Sequence, residues 1–422
     1  MSNMPEIDLD LLSQHRIARI ATRRLRSRWP RLLGRNAIFE EHGYGREFLV
    51  REVVTDRGAM GWGLSRRLGP QRTPELEGRR VSELFDPAVG VTADEALPLD
   101  FALHDLAGVI LGVPVHRMLG WHGLGAVCRG HADGSRRSHV ASMASPGDGQ
   151  AMPPSGVAPR EVPVYGAATY MDDITPAYQA AGVQAVLDHA RLDWQLGYRG
   201  FKIKIGRGHR WMERRAGLLR DVEVTRRVRE AFPDAQIMVD ANNAYSCDDF
   251  LEYFRQVADC GLCTIEEPFP EARDDLRRLR ELIVKHSPAT TVTEGESKPD
   301  IELLLELGAE GLVQILNVDI EGYGFTRWRA LAPRALERGL LLSPHAFDLK
   351  LKTHYGAQLL AGLGGSSPLE GVIDQTEGVD FEAYTLREGM LTVPDAPGFG
   401  MRLIWGRGYD RNGLDDSGYP MT

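Results

Sequence analysis

From about residue 160 onward, short β-branched and apolar runs alternate with longer stretches whose apolar positions recur at helical spacing. Eight such runs stand out, at 162–165, 201–205, 236–240, 263–266, 290–293, 311–316, 340–343 and 368–373. The intervening segments, such as 221–228 (Asp-Val-Glu-Val-Thr-Arg-Arg-Val), carry helical periodicity. Strands that alternate with helices build a parallel sheet, and this many βα units close naturally into a barrel. Its catalytic groups are then expected just past the strand ends.

Upstream, residues 16–65 hold strand-like pieces such as 47–54 (Glu-Phe-Leu-Val-Arg-Glu-Val-Val), and 92–120 read as helices. These make a separate α+β domain. Between the two, about 121–160 is rich in Gly, Ser, Ala, Pro and His and reads as a flexible insertion. After residue 376 the pattern weakens into a Gly-, Pro- and Asp-rich tail that either packs back on the first domain or stays mobile. The expected plan is therefore 1–125 for the first domain, 126–160 for the insertion, 161–375 for the barrel and 376–422 for the tail.

Composition narrows this picture. At 422 residues the chain exceeds one ordinary core, while 43% hydrophobic and 26% charged residues are normal for a globular protein. A net charge of −9 argues against nucleic acid as a partner, since phosphate binding wants clustered Lys and Arg. The basic stretch from Arg23 to Arg35 reads as a solvated face or an active-site rim. The acidic N-terminus lacks an apolar signal region and no window matches a membrane span, so a cytoplasmic location is expected and no membrane partner. Cys260-Gly261-Leu262-Cys263 has no second pair and reads as a helix end entering a buried strand, not as a zinc or redox site.

The chemistry lies at the run ends. Asp240 follows Ile237-Met238-Val239, Glu266 follows Thr264-Ile265, and Thr293-Glu294-Gly295-Glu296 offers two acids for a third place. One acid at a strand end often only caps the next helix; three in succession, meeting at one barrel mouth, suit a hard divalent cation. Oxygen donors without His or Cys favour Mg²⁺ over zinc. Lys202 and Lys204 share one side of a strand, and apolar Phe201, Ile203 and Ile205 belong under helices, so both lysines are expected to face inward. Mutual repulsion and partial burial are then expected to lower the pKa of Lys204 toward that of a general base. His345 closes the seventh run, nearly opposite the second across a barrel, where it would face Lys204 over a bound substrate; Asp319 is the candidate to orient its ring.

Together these residues resemble the enolase superfamily, in its mandelate racemase/muconate lactonizing enzyme-like subgroup. The resemblance rests on Lys202-Ile203-Lys204, Asp240-Ala241-Asn242, Ile265-Glu266-Glu267-Pro268, Gly295-Glu296 and Ser343-Pro344-His345. Ala102-x-x-Asp105-Leu106-x-Gly108, Gly112-Val113-Pro114-Val115 and Leu119-Gly120 add to it. It implies a (β/α)₇β modified TIM barrel under an α+β N-terminal capping domain completed by the C-terminal segment. It further implies Mg²⁺ on Asp240, Glu266 and Glu296, in preference to Glu294, and proton-transfer roles for Lys204 and His345. Glu370, in Pro368-Leu369-Glu370-Gly371, matches a residue that hydrogen-bonds the substrate carboxylate in relatives, and Asn242 is also placed among the substrate contacts. Relatives commonly assemble, so a homo-oligomer is implied. One departure stands out: a gap-free reading puts Leu316 where the family pattern has an Asp, and Asp319 serves only with a shift.

The run Asp319-Ile320-Glu321-Gly322-Tyr323-Gly324-Phe325-Thr326 with Trp328, and Gly206-Arg207-Gly208-His209, are similar to acid-sugar dehydratases of the galacturonate or galactarate type. The implied reaction is loss of the 2-proton of a small-molecule sugar acid and of its 3-hydroxyl, giving a 2-keto-3-deoxy acid. Lys202 would neutralise the growing carboxylate charge, and Arg35, Asn36 and His42 of the Gly34–Gly43 loop would meet the distal hydroxyls. A racemase or epimerase needs the same two faces and stays open beside it. A sugar-acid binder without catalysis is disfavoured, because binding needs no opposed proton-transfer groups.

Overall fold

An antiparallel meander opens the fold: β1 (Ile17–Leu33), β2 (Gly43–Thr55) and β3 (Met60–Leu64). The helix Asp100–Leu111 lies directly on β3 because Gly61 and Gly63 carry no side chains. A Cβ at these positions would stand 2.3 Å from the Leu106 nitrogen and 2.5 Å from the Phe101 Cβ. Two short strands, β4 (Phe85–Asp86) and β5 (Gly90–Val91), form a separate ribbon beside this helix. The computed structural model describes residues 9–65, 75–119 and 160–404, so the stretch read as an insertion lies outside the described residues, except Arg160.

Arg160 already belongs to the barrel. Its strands are β6 (Arg160–Thr169), β7 (Gly200–Lys204), β8 (Gln236–Asp240), β9 (Leu262–Glu266), β10 (Thr291–Glu294), β11 (Ile315–Leu316), β12 (Leu341–Leu342) and β13 (Leu369–Gly371). Neighbours from β6 to β12 pair in parallel, and β13 returns to pair with β6. Between β12 and β13 the ring closes through a bridge from Leu342 to Ser366 and the Ser343 hydroxyl donating to the Pro368 carbonyl at 2.8 Å. Helices such as Val183–Gln195, Arg214–Ala231 and Lys350–Leu363 fill the connections, giving the (β/α)₇β order.

Each predicted run falls on one of these strands, but 311–316 shortens to two strand residues. The reason is local. Gly311 turns left-handed and its N–H, with that of Leu312, satisfies the last carbonyls of the helix Ile301–Ala309, so these residues cap a helix instead of extending a sheet.

Beyond β13 the chain returns to the cap. β14 (Gln375–Thr376) adds an edge strand to β1, the Phe399 N–H donates to buried Asp105 at 2.8 Å, and the Trp62 indole donates to the Met401 carbonyl at 3.2 Å. Cap and barrel thus share the C-terminal segment.

The loop after β7 is braced from below. Arg207, wholly buried, reaches Asp173 through Nε at 3.1 Å and Asp221 through Nη1 at 2.5 Å, while Asp221 also accepts from the Gly206 N–H and the Tyr245 hydroxyl. This arginine, one of the residues behind the dehydratase likeness, is therefore a brace for the strand that carries Lys204. Arg207→Met would leave buried Asp221 without its cation and Asp173 with only Arg220 at 3.7 Å, and is expected to destabilise the fold by about 3–5 kcal/mol. A denaturant midpoint equal to that of the unsubstituted chain would rule this brace out.

Candidate active site

Strand periodicity sets the first two groups. In β7, Phe201 packs outward against Trp194 and Phe232, which leaves Lys202 and Lys204 on the lumen side. Register then lines up the acids: Lys204 lies beside Asp240 and Asp240 beside Glu266 across β7, β8 and β9. In β10, Thr293 lies beside Glu266, so Glu294 takes the opposite face. Gly295, at φ +124°, turns the chain and brings Glu296 back to the lumen. Asp240, Glu266 and Glu296 each offer an oxygen within 4.8 Å of the others.

Glu294 is fully buried with neither carboxylate oxygen hydrogen-bonded, and burial, then Glu271 and Glu267, push its pKa well up. It lies behind the strand, and Glu296 is the acid of this run that comes within reach of Asp240 and Glu266.

Lys202 is fully buried, with Nζ 2.9 Å from Glu266, 2.9 Å from Glu370 and 3.5 Å from Asp240. Burial opposes its charge, but Glu266 and Glu370 outweigh burial and hold its pKa well above the usual lysine range. Glu266 does not follow as a simple ion-pair partner. Burial, and then Asp240, Glu296 and Glu370, outweigh Lys202 and push its pKa up to about 8. The cluster carries more negative charge than its lysines neutralise, so it takes up a proton where a hard cation would serve. Three oxygen donors at this spacing, short of one positive charge, fit Mg²⁺.

Lys204 corrects one expectation. Its ammonium donates to Asp240 and lies 3.4 Å from the Asn242 Oδ1. Burial and Lys202 do lower its pKa, but Asp240 outweighs them and the net direction is upward. Repulsion between two lysines loses to a carboxylate in direct contact, which strand spacing alone does not reveal.

Opposite Lys204, the His345 Nδ1 lies 2.9 Å from Asp319 and Nε2 lies 3.3 Å from Glu296 and 3.4 Å from Glu370. Burial disfavours the imidazolium, yet Glu296, Glu370 and Asp319 raise its pKa to about 9. Leu316 is buried in β11, and Asp319, three residues on, bridges to His345, so the shifted reading matches the geometry. Glu370 is fixed by Lys202 and by the Ala346 N–H at 2.8 Å.

These groups open into a cavity of about 390 Å³ lined by Lys204, Asn242, Glu296 and His345 from the barrel and by Asn36, Phe39 and His42 from the cap. Asn36 faces it with its Oδ1 already accepting from the Ile38 and Phe39 N–H groups. His42 packs between Tyr170 and Phe347 with Nε2 unpartnered, and burial, then Lys204, lower its pKa to about 4. Arg35 is not brought to this lining: its guanidinium donates to the Ile174 carbonyl at 3.0 Å and covers the Trp211 ring.

Other residues escaped the sequence reading. Tyr170 and Phe347 wall the cavity, and Glu267, left-handed at φ 40°, accepts from the Ser297 N–H at 2.7 Å and so holds the loop of Glu296. Lys352, buried on the helix Lys350–Leu363, reaches Asp319 at 2.8 Å. Glu267 had a signal in Glu-Glu-Pro; a lysine inside a helix had none.

Fold and site together define a capped (β/α)₇β barrel with a carboxylate triad beside Lys204 and His345. The chain belongs to the Enolase C-terminal domain-like family, whose model matches residues 185–406. A galacturonate dehydratase from Geobacillus sp., crystallised with Mg, superimposes with a TM-score of 0.80 at 27% identity, over 95% of each chain. Another structure of galacturonate dehydratase from Geobacillus sp. holds D-galacturonate and 5-keto-4-deoxy-D-galacturonate, with TM-score 0.79 and 26% identity over 93% of this chain and 95% of that one. D-galactarolactone cycloisomerase of Agrobacterium fabrum is 28% identical over 222 residues, 49% of this chain and 55% of the relative, so the chain spans about half of that protein's length. L-Lys-D/L-Arg epimerase of Methylococcus capsulatus is 26% identical over 86% of this chain and 85% of its own. These findings support an enzyme acting on a small molecule. Among the described residues, no helix is long and apolar enough to cross a membrane.

Proposed function

We propose that this chain is a Mg²⁺-dependent acid-sugar dehydratase. The observation that carries the reading is the placement of Lys204 and His345 on one cavity, from nearly opposite strands, with the Asp240, Glu266 and Glu296 triad beside both. The likeness to galacturonate dehydratase over nearly the whole chain supports it.

Asp240, Glu266 and Glu296 would hold Mg²⁺, which when bound supplies Lewis-acid stabilisation of charge on the substrate carboxylate. The Lys202 ammonium, fixed between Glu266 and Glu370, stabilises the same charge as the 2-proton leaves. Lys204 Nζ takes that proton. Its own ammonium is favoured chiefly by Asp240; with Asp240 committed to a cation, burial and Lys202 would lower its pKa toward that of a base. On the other face His345 is held protonated, and its Nε2–H is donated to the 3-oxygen as the carbon–oxygen bond breaks. Water departs, the C2=C3 enol remains, and protonation at C3 gives the 2-keto-3-deoxy acid.

The test is proton NMR in D₂O with Mg²⁺ and a panel of hexonic, hexaric and uronic acids, with and without chelator. A chelator-sensitive substrate that gains a C3 signal supports dehydration; deuterium at C2 with all hydroxyls retained replaces it by epimerisation. His345→Asn is expected to lower kcat by about 10²–10⁴-fold with little change in KM, measured on the acid so found. A loss confined to KM would reassign His345 to binding.

A further inference from the structure

Asp319 is held at three points. Its Oδ1 accepts from the Gly322 N–H, capping the short helix Ile320–Tyr323, and its Oδ2 meets both His345 Nδ1 at 2.9 Å and Lys352 Nζ at 2.8 Å. Lys352 rises from the helix Lys350–Leu363 and is 4% exposed, a burial that a lysine tolerates only with partners. Asp319 is its nearest acid; Glu321 and Asp348 stand farther off, at 3.6 and 3.7 Å.

This cluster also ties the cap to the barrel. Arg46 on β2 pairs with Asp348 and lies 3.7 Å from Glu321, and the Trp29 indole of β1 donates to the Asp348 carbonyl at 3.2 Å. Asp348 sits at φ 82°, a left-handed conformation costly for a non-glycine residue, which the surrounding contacts must hold. His345 and Phe347, which line the cavity, belong to the loop that Asp348 ends.

A carboxylate free to rotate presents its oxygens to His345 in several ways; one pinned at both oxygens presents a single one. We propose that Lys352 is a positioning residue: it locks Asp319 Oδ2 onto His345 Nδ1, so that the ring carries its Nδ1 proton toward Asp319 and turns Nε2 to the cavity. The inference rests on the proton-transfer role assigned to His345 under the proposed function. Lys352 touches no reacting atom, and the cap enters through Arg46 and Asp348.

A double-mutant cycle tests it, with the full Mg²⁺-loaded chain and the acid found by the panel. Lys352→Met is expected to slow the His345-dependent step by roughly 10- to 100-fold, the range for groups that orient a functional imidazole from behind. Lys352→Arg, which keeps the charge, should recover most of the loss. Lys352→Met combined with Asp319→Asn should be no slower than Asp319→Asn alone, because both act through one carboxylate. Multiplying losses, or equal slowing of C2-deuterium exchange at the Lys204 face, would overturn the proposal, since a merely structural role predicts both.

A second measurement needs no turnover. Long-range ¹H–¹⁵N spectra of the histidine-labelled protein, with His345→Asn for assignment, resolve Nδ1 from Nε2 and so report the Nδ1–H contact with Asp319. Lys352→Met should shift the His345 Nδ1 resonance in the same direction as Asp319→Asn does. An unchanged His345 spectrum would overturn the positioning role even if no acid on the panel reacts, whereas a silent panel with a shifted spectrum would count only against the dehydratase reading.

Discussion

Replacing Lys204 by alanine is expected to lower kcat by about 10²–10⁴-fold, the range for loss of a positioned proton-transfer group. Mg²⁺ affinity should hold or tighten, because the substitution removes an ammonium that donates to Asp240. Steady-state kinetics and calorimetric Mg²⁺ titration check the two halves. The combination is diagnostic. A variant that keeps its turnover would show that Lys204 serves binding alone and would revive the non-catalytic reading. A variant that loses Mg²⁺ together with activity would show that Lys204 builds the acid cluster and not the chemistry. Lys204 lines the cavity, so thermal unfolding should be followed beside both.

Metal removal is expected to have an effect of similar size. Chelation, or Glu266→Gln, should abolish turnover, and Mg²⁺ at about 100 times its Kd should stabilise the unsubstituted chain by about 2.7 kcal/mol through preferential binding to the folded state. Glu266→Gln should lose most of that gain.

The pH dependence has a definite sign. The folded-state pKa of Glu266 is about 8, above its ordinary value, so the cation-free protein keeps a proton there at neutral pH. That contribution to stability is present below the unfolded pKa and is lost as pH rises toward 8. Mg²⁺ binding at pH 7 should therefore release close to one proton, and apparent affinity should rise by about tenfold per pH unit until it levels near the folded pKa. Calorimetry in buffers of different ionisation enthalpy measures the release. No proton release, or affinity flat across this range, would mean that Glu266 is ionised before the cation arrives.

Much of this was legible in the residues themselves. The strand runs, the inward phase of Lys202 and Lys204 and the acids ending β8 and β9 all come from local rules: a two-residue repeat, apolar neighbours, and chain breaks at Pro268 and Gly295. Such rules act within a few residues, so one chain states them without help. Even the shortened β11 has a local cause, since Gly311 closes a helix where apolar composition suggested strand.

What depended on approach between distant segments was decided by the tertiary structure. Glu296 and not Glu294 joins the triad, because register and one left-handed glycine set which acid faces Glu266. Arg35 turns to Trp211 and away from the cavity, while Asn36 and His42 reach it. Lys204 is held charged by Asp240, and Lys352 meets Asp319 from a helix whose sequence gives no hint of it. Charge–charge energies vary inversely with distance and grow as water is excluded, so they are fixed only when the barrel closes and the cap seals its mouth. The sequence by itself determined which chemical groups stand at the strand ends; folding decided which of them touch, and therefore which carry charge.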